Sequence, residues 1–256
     1  MNIVLFSPDE VECGGEIRLP TDDVRAKHIR GVLRLDRGSW FRAGVVDERP
    51  GYAQVCSDTG PVAGDCLVLR FVPDGNDGAE VLPRVDLIIG SARPIQLKRL
   101  FRDLASIGVS RILVAGTDLS ETSYFHSNIW NTAKLRQLLV EGASQGGHTF
   151  LPEVTRCTAV RDAIAAFQSI YESAEERSVA RIRLERGAPP VSQTTLLRPT
   201  KRILLAIGPE RGFTEREISL LDEAGFEQLG IPGGILRTET AATAAVCVVR
   251  SWAIEP

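Results

Sequence analysis

Histidine is scarce in this chain: there are three, at 28, 126 and 148, and no two stand at ligand spacing. The five cysteines, at 13, 56, 66, 157 and 247, include no CxxC pair. Both absences argue against a zinc site, and no metal is expected. An odd cysteine count argues further for reduced thiols rather than a disulfide scaffold. No run of about 18 apolar residues occurs, and MNIVLFSPDE lacks the basic flank and apolar stretch of an export signal. A soluble, cytoplasmic protein without a membrane partner is the expectation. No GxGxxG follows a strand-like run with an acidic residue about 20 positions on, which disfavours a dinucleotide-binding Rossmann enzyme. Excess positive charge is missing too. The net charge of −3 speaks against strong non-specific affinity for nucleic acid, and DNA is not an expected partner.

What the chain does have is concentrated between residues 204 and 245, LLAIGPERGFTEREISLLDEAGFEQLGIPGGILRTETAATAA. The apolar run 203–207 fits a buried parallel strand. Gly208 to Gly212 must then turn sharply, since glycine tolerates positive φ and proline fixes its own. Thr214 and Glu217 have capping-box spacing ahead of Ile218, Leu220 and Leu221. A short strand and a second turn, Pro232-Gly233-Gly234, lead to Thr238 as the N-cap of an alanine-rich helix, with Glu239 favoured by its dipole. Two glycine loops at the carboxyl ends of neighbouring strands form the usual ligand position of an open α/β sheet. Taken alone, they also read as ordinary strand-to-helix turns.

The rest of the chain divides by pattern. Residues 1–72 alternate short apolar runs (GSWFRAGVV, YAQVC, DCLVLRFV) with turn signals, as a small β-barrel does, with a helical insert near 21–33 capped by Thr21 or Asp22. Residues 73–80 read as a turn-rich linker. From 81 to 256 the pattern becomes αβ alternation. Strands are expected at 85–89, 111–115, 179–184 and 203–207, and helices at 95–106, 131–144 and 159–172. That predicts an α/β fold with a mostly parallel sheet covered on both faces. Spacing alone predicts an unknotted sheet. Charge is uneven: residues 18–42 hold seven basic side chains against three acidic ones, a local balance of +4. Arg93, Lys98, Arg99 and Arg102 form a second cluster. Either is a candidate RNA-binding surface or simply a solvated face.

IGPERGF followed by ILRTETA resembles the paired signature IGPEGGF…LGxRILRxETA of the ribosomal RNA small-subunit methyltransferase E family, within the SPOUT superfamily. KHIRGVLRLDRGSWFRAGVVDERPGYAQV resembles that family's HHLxxVLRxxxGDxI…DGxGxxY stretch through His28, Val32, Leu33, Arg34, Gly38 and Tyr52. SETSYFHSNIWNTAKLRQLLVEGASQGGHTFLPEV is similar to its KSYxxS…EGxxQxxxTxLPxV form through Ser123, Tyr124, Glu141, Gln145 and Pro152. The matches run in order along most of the chain.

The resemblance implies a PUA-like β-barrel at 1–72 that holds RNA, and a SPOUT methyltransferase domain at 81–256 whose C-terminal segment forms a trefoil knot. It implies a homodimer, S-adenosylmethionine as co-substrate, and methylation of N3 of a uridine in 16S rRNA of the small ribosomal subunit. The cofactor would be held by Ile207, Gly208, Pro209, Glu210, Gly212, Ile231, Gly233, Ile235, Leu236 and Thr238. Arg237 would stabilise charge on the uracil or grip a phosphate. Glu210 or Glu239 would accept the N3 proton, or cap loop amides. His28, Arg30, Arg34, Arg93 and Arg211 are the candidate RNA contacts. Glu141 and Gln145 share a helix face and would line the pocket or remain an exposed pair.

Departures fall inside the motifs. Arg211 replaces a glycine, Ile231-Pro232 stands where Leu-Gly is usual, Gly234 replaces an arginine, and Leu119 takes another arginine's place. If φ at Arg211 is positive, the side chain costs on the order of 1 kcal/mol. Two alternatives follow: a SPOUT methyltransferase with a different RNA target, or an inactive RNA-binding or ribosome-assembly protein.

Overall fold

The structure, a computed structural model, describes residues 1–58, 66–75, 84–171, 179–193 and 202–253. The chain divides into two compact units: Met1–Ala79 with Val140–Leu151, and Glu80–Leu139 with Pro152–Pro256.

The first unit is a five-stranded sheet, ordered β1-β3-β4-β5-β2, made of β1 (Val4–Phe6), β2 (Glu16–Pro20), β3 (Trp40–Val45), β4 (Pro50–Asp58) and β5 (Cys66–Pro73). The β1–β3 pair is parallel and the other three pairs are antiparallel. Alternate residues of all five strands, including Phe6, Leu19, Ala43, Val55 and Leu69, form one core with Ala26 and Ile29. Those two come from the helical insert, α1 (Val24–Lys27) continued by a π-helical turn at His28–Val32. Its N-cap is Asp23, one or two residues later than expected, and the Asp23 carboxylate accepts from the Arg25 amide at 2.7 Å. Arg25 also reaches Glu10 and both Asp23 oxygens, and its guanidinium covers the Phe6 ring. The basic count of the 18–42 segment therefore overstates its charge, because Glu10 binds Arg25 and Glu16 binds Arg18 from outside the segment.

Residues 140–151, expected with the catalytic domain, group with this first unit. Ala143 packs on Ile3, Leu5 and Val46, and the Ser144 carbonyl accepts from the amides of Asn2 and Ile3 at 3.0 and 3.2 Å.

The second unit is a six-stranded parallel sheet, ordered β11-β9-β10-β6-β7-β8. Its strands are β6 (Arg84–Gly90), β7 (Arg111–Ala115), β8 (Glu153–Cys157), β9 (Val179–Leu184), β10 (Arg202–Ile207) and β11 (Glu227–Leu229). Its helices are α2 (Pro94–Ser106), the long α3 (Thr132–Gly146) that runs on into the first unit, α4 (Val160–Ile170), α5 (Glu215–Glu223) and α6 (Thr238–Ala253). Ile88, Leu113, Leu204 and Ala206 turn one face of the sheet to α4 and α5. The alternate residues face the side where α6 packs on β10 and α2. There Arg250 of α6 donates to the carbonyls of Ile107 and Gly108, closing the open end of α2.

Two expectations need correction. β10 and β11 are not neighbours, because β9 runs between them. Thr238 is the first residue of α6, not its cap, and the Arg237 carbonyl accepts the first helical bond from Ala241 at 2.8 Å. Most of the expected linker at 73–80 falls outside the described residues, and so does residue 172, the expected end of α4.

Candidate active site

Every strand of the parallel sheet ends on the same edge, so the loops after β6, β7, β10 and β11 gather at the carboxyl ends. The first glycine loop, 208–214, is anchored from three directions. Pro209 is buried and sits directly on Gly90 at the end of β6; a Cβ on Gly90 would come within 2.3 Å of the proline ring and 2.6 Å of its nitrogen. The Gly212 amide donates to the Pro209 carbonyl at 2.9 Å, and Gly212 takes the positive φ of 74° that the turn requires. Arg211 is not a positive-φ residue, so the arginine in place of the family's glycine costs no left-handed strain.

The third anchor is the start of α5. Thr214 and Glu217 form the expected capping box: the Glu217 carboxylate accepts from the Thr214 amide at 2.9 Å, and the Thr214 hydroxyl accepts from the Glu217 amide at 3.4 Å. The other Glu217 oxygen accepts from the Asp118 amide at 2.9 Å, so a side chain only 2% exposed ties α5 to the loop after β7. Asp118 answers by accepting from the Thr214 hydroxyl at 2.8 Å and pairing with Arg216. Hydrogen bonds from Arg216 first, and Thr214 second, hold the Asp118 carboxyl below the usual aspartate value.

The second loop is held at its ends. The Gly230 amide donates to the Pro189 carbonyl at 2.8 Å, and the Arg237 carbonyl accepts the first hydrogen bond of α6. Between these points residues 231–236 make no hydrogen bond to other described residues. Gly233 has φ 134°, a backbone open only to glycine without strain. Ile235 is 82% exposed and Leu236 39%.

The candidate residues separate accordingly. Ile207 is buried at the end of β10, Gly208 and Ile231 are half-buried, and Glu210, Arg211 and Arg237 are exposed. Thr238 and Glu239 are buried in the first turn of α6. One Glu239 oxygen is 3.7 Å from Arg99 of α2, and the other is buried with no hydrogen-bond partner among the described residues. Ser91, directly after β6, likewise keeps a buried hydroxyl without a partner, while its backbone is fixed by Ala115 and Ser120. Sequence reading missed Ser91 and Gly90, although a glycine closing an apolar strand is the mark of a close backbone approach. Arg93 is exposed just before α2.

His28, Arg30 and Arg34 belong to the first unit. Burial pulls the His28 imidazole below its usual pKa, and its Nε2 has no partner among the described residues. Arg34 is exposed and adopts φ 52°. Glu141 and Gln145 are both exposed on α3.

Neither of two cavities coincides with the glycine loops. One, of about 620 Å³, is lined by first-unit residues from Val11 to Pro73. The other, of about 370 Å³, sits at the ends of β7 and β8 and is lined in part by Asp118, Thr158, Arg161, Arg216 and Glu217. Loops whose apolar side chains face outwards enclose no cavity by themselves, which accounts for the mismatch.

Residues 80–250 match the family model for an RNA methyltransferase domain. A ribosomal RNA small subunit methyltransferase E from Treponema pallidum is 34% identical over 97% of this chain and 90% of its own length. Its counterpart from Borreliella burgdorferi, ribosomal RNA small subunit methyltransferase E 1, is 29% identical over 98% of each chain. The crystal structure of the Neisseria gonorrhoeae enzyme of the same name, bound to S-adenosyl methionine, superimposes with a TM-score of 0.73 over 98% of each chain at 19% identity. The relatives match over nearly all of the chain, and the chain belongs to the ribosomal RNA small subunit methyltransferase E family.

Proposed function

We propose that the protein is an S-adenosylmethionine-dependent methyltransferase acting on N3 of a uridine in 16S rRNA. The supporting observation is the pair of glycine loops on the carboxyl edge of the parallel sheet, one seated on Gly90 and the other presenting Ile235 and Leu236 to solvent. The residues suit the cofactor. Amides of the loops match an adenine edge, Ile231, Ile235 and Leu236 match its faces, and the unpartnered Ser91 hydroxyl and Glu239 carboxylate offer polar contacts. S-adenosylmethionine supplies a methyl group already activated by its positive sulfur.

The chain's own task is then alignment and charge. The target edge of uridine is used in Watson–Crick pairing, so the base has to be unpaired when it enters. Arg237, exposed beside the second loop, stabilises the negative charge that develops on the uracil, and Glu210, exposed on the first loop, takes the N3 proton. Glu239, buried against Arg99, holds the second loop and α6 in place. His28, Arg30, Arg34, Arg93 and Arg211 contact the RNA. The first unit serves as a PUA-like RNA-holding module, and the C-terminal segment is knotted as in SPOUT enzymes. The enzyme is a homodimer and works in the cytoplasm.

Leu119 and Gly234, where the family carries arginines, favour a second reading in which the same chemistry serves a different RNA nucleotide. One experiment separates the two. Calorimetry with S-adenosylmethionine is followed by methyl transfer to small subunits lacking the modification, and the product is mapped by mass spectrometry. Transfer to uridine N3 supports the first reading, binding with transfer elsewhere supports the second, and absence of binding sinks both.

A further inference from the structure

The outer face of the first unit's sheet carries side chains that neither its core nor the methyltransferase site uses. Along β3, Phe41 and Ala43 are buried, so Trp40 and Arg42 point outwards. Along β4, Tyr52 and Gln54 face out between buried Gly51, Ala53 and Val55. Along β5, Arg70 and Val72 do the same. The register sets these out in two rows, Trp40–Gln54–Arg70 and Arg42–Tyr52–Val72. Trp40 is 51% exposed and Tyr52 45%, a large aromatic area to leave in water on adjacent strands. They are diagonal neighbours, a spacing of roughly 7–8 Å that lets each ring take a separate base of one strand.

Charge completes the pattern. Arg42 and Arg70 make no ion pair among the described residues, and Glu16, opposite Arg70 on β2, is engaged by Arg18. The face is net positive on a chain whose net charge is −3.

We propose that this sheet face, through Trp40, Tyr52, Arg42 and Arg70, is a stacking platform for single-stranded RNA. Aromatic rings meet unpaired bases, and the two guanidiniums meet the phosphates that link them. The broad face of a sheet cannot enter the deep, narrow major groove of an A-form duplex, so the ligand is a segment with splayed bases. The choice of RNA over single-stranded DNA rests on the function proposed above. A second copy of the chain fits the face poorly, because an isologous contact would set its positive charges against themselves.

The test uses the full chain, a fluorescently labelled mixed-sequence single-stranded oligoribonucleotide, and a duplex of the same length, with affinity read by anisotropy. The parent is expected to prefer the single strand. Trp40→Ala and Tyr52→Ala should each weaken binding about five- to hundredfold. Trp40→Phe should retain most of the affinity, because a ring remains. Arg42→Gln should lower the slope of log affinity against log salt by about 0.7. S-adenosylmethionine affinity should not change in any of these variants. Parental affinity in the Trp40→Ala/Tyr52→Ala double variant overturns the proposal, as does a parent that prefers duplex or binds neither RNA. A double variant that falls from dimer to monomer with unchanged RNA affinity assigns the face to a second copy instead. Methyl transfer to small subunits by the same parental preparation keeps the two readings apart. If transfer persists while the face fails, only this proposal falls; if the parent neither binds S-adenosylmethionine nor transfers, the enzymatic reading falls by itself.

Discussion

The two glycine loops of the second unit stand at the same edge of one sheet and are built in opposite ways. The first is fixed by a proline ring on a glycine, a turn hydrogen bond, and a carboxylate that bonds two backbone amides 96 residues apart, Asp118 and Thr214. The second is held only at its ends and turns two aliphatic side chains to solvent. If these loops form the proposed site, which must both position a cofactor and admit a bulky substrate, such a division is an advantage. Preorganised groups hold geometry without reorganising, and an adaptable loop lets its apolar surface be covered by whatever arrives. The difference implies that damage to the first loop costs stability and binding together, whereas damage to the second costs binding alone.

The largest effect is expected at Gly90. Alanine there pushes a methyl group into Pro209, and backbone as well as ring must move. Overpacking of this kind costs about 1–3 kcal/mol, which for a chain of this size lowers the melting temperature by several degrees. S-adenosylmethionine affinity measured by calorimetry should drop at least about tenfold in parallel. Unchanged affinity in a destabilised Gly90→Ala variant would show that the loop is not held by its seat.

Glu217→Gln comes next. It keeps the shape of the side chain but sets an NH2 group against one of the two amides now bonded by the carboxylate. A buried hydrogen-bond mismatch of this type costs about 1–3 kcal/mol. Hydrogen exchange at the Asp118 and Thr214 amides should accelerate, with the sheet core protected as before. Uniform acceleration across the sheet would mean that Glu217 supports the whole unit rather than the loop.

This asymmetry also marks what could be read before the structure. The strands at 111–115 and 179–184 and the Thr214–Glu217 cap were legible because periodicity and capping are local. The two loops were legible because their residues are contiguous and resemble a family signature. The seat of Pro209 on Gly90 and the bond from Glu217 to Asp118 join residues 119 and 99 apart, and no local pattern encodes them. The pairing of two cations in the basic segment at 18–42 was hidden for the same reason. Their neutralising partners, Glu10 and Glu16, stand outside the window in which the segment's charge was counted. Order in the parallel sheet was equally hidden: β11 follows β10 in sequence, yet β9 separates them. Residues 140–144 read as the end of the helix expected at 131–144, and only tertiary packing assigns Val140–Leu151 to the first unit.

In the second loop, Ile235→Ser probes the opposite expectation. A side chain 82% exposed contributes little to folding, so stability should stay within about 0.5 kcal/mol of the parent. On the proposed reading, S-adenosylmethionine affinity should nevertheless weaken several-fold, since the aliphatic wall of the proposed site has lost its apolar surface. A fall in stability without a fall in affinity would reverse the roles of the two loops.

The smallest effect is a matter of acid. Asp118 is held below its ordinary value of 3.8 by Arg216 and Thr214, so the folded protein releases this proton more readily than the unfolded chain. A carboxyl group depressed in this way stabilises the fold above its unfolded pKa, and the contribution disappears as pH falls through the lower folded value. Asp118→Asn should therefore be slightly less stable than the parent near neutrality, by an amount that shrinks below about pH 4 and vanishes in stronger acid. Urea unfolding of both proteins at about pH 7, 5 and 3.5 measures that difference. The depressed carboxyls of Glu10 and Asp23 cancel, being common to both. Ile235→Ser supplies the control, because its difference from the parent involves no titrating group and should be flat over the same range. A flat Asp118→Asn difference would mean that the Arg216–Asp118 pair, for all its short contacts, is screened by solvent and holds nothing, leaving the first loop to Gly90 and Glu217.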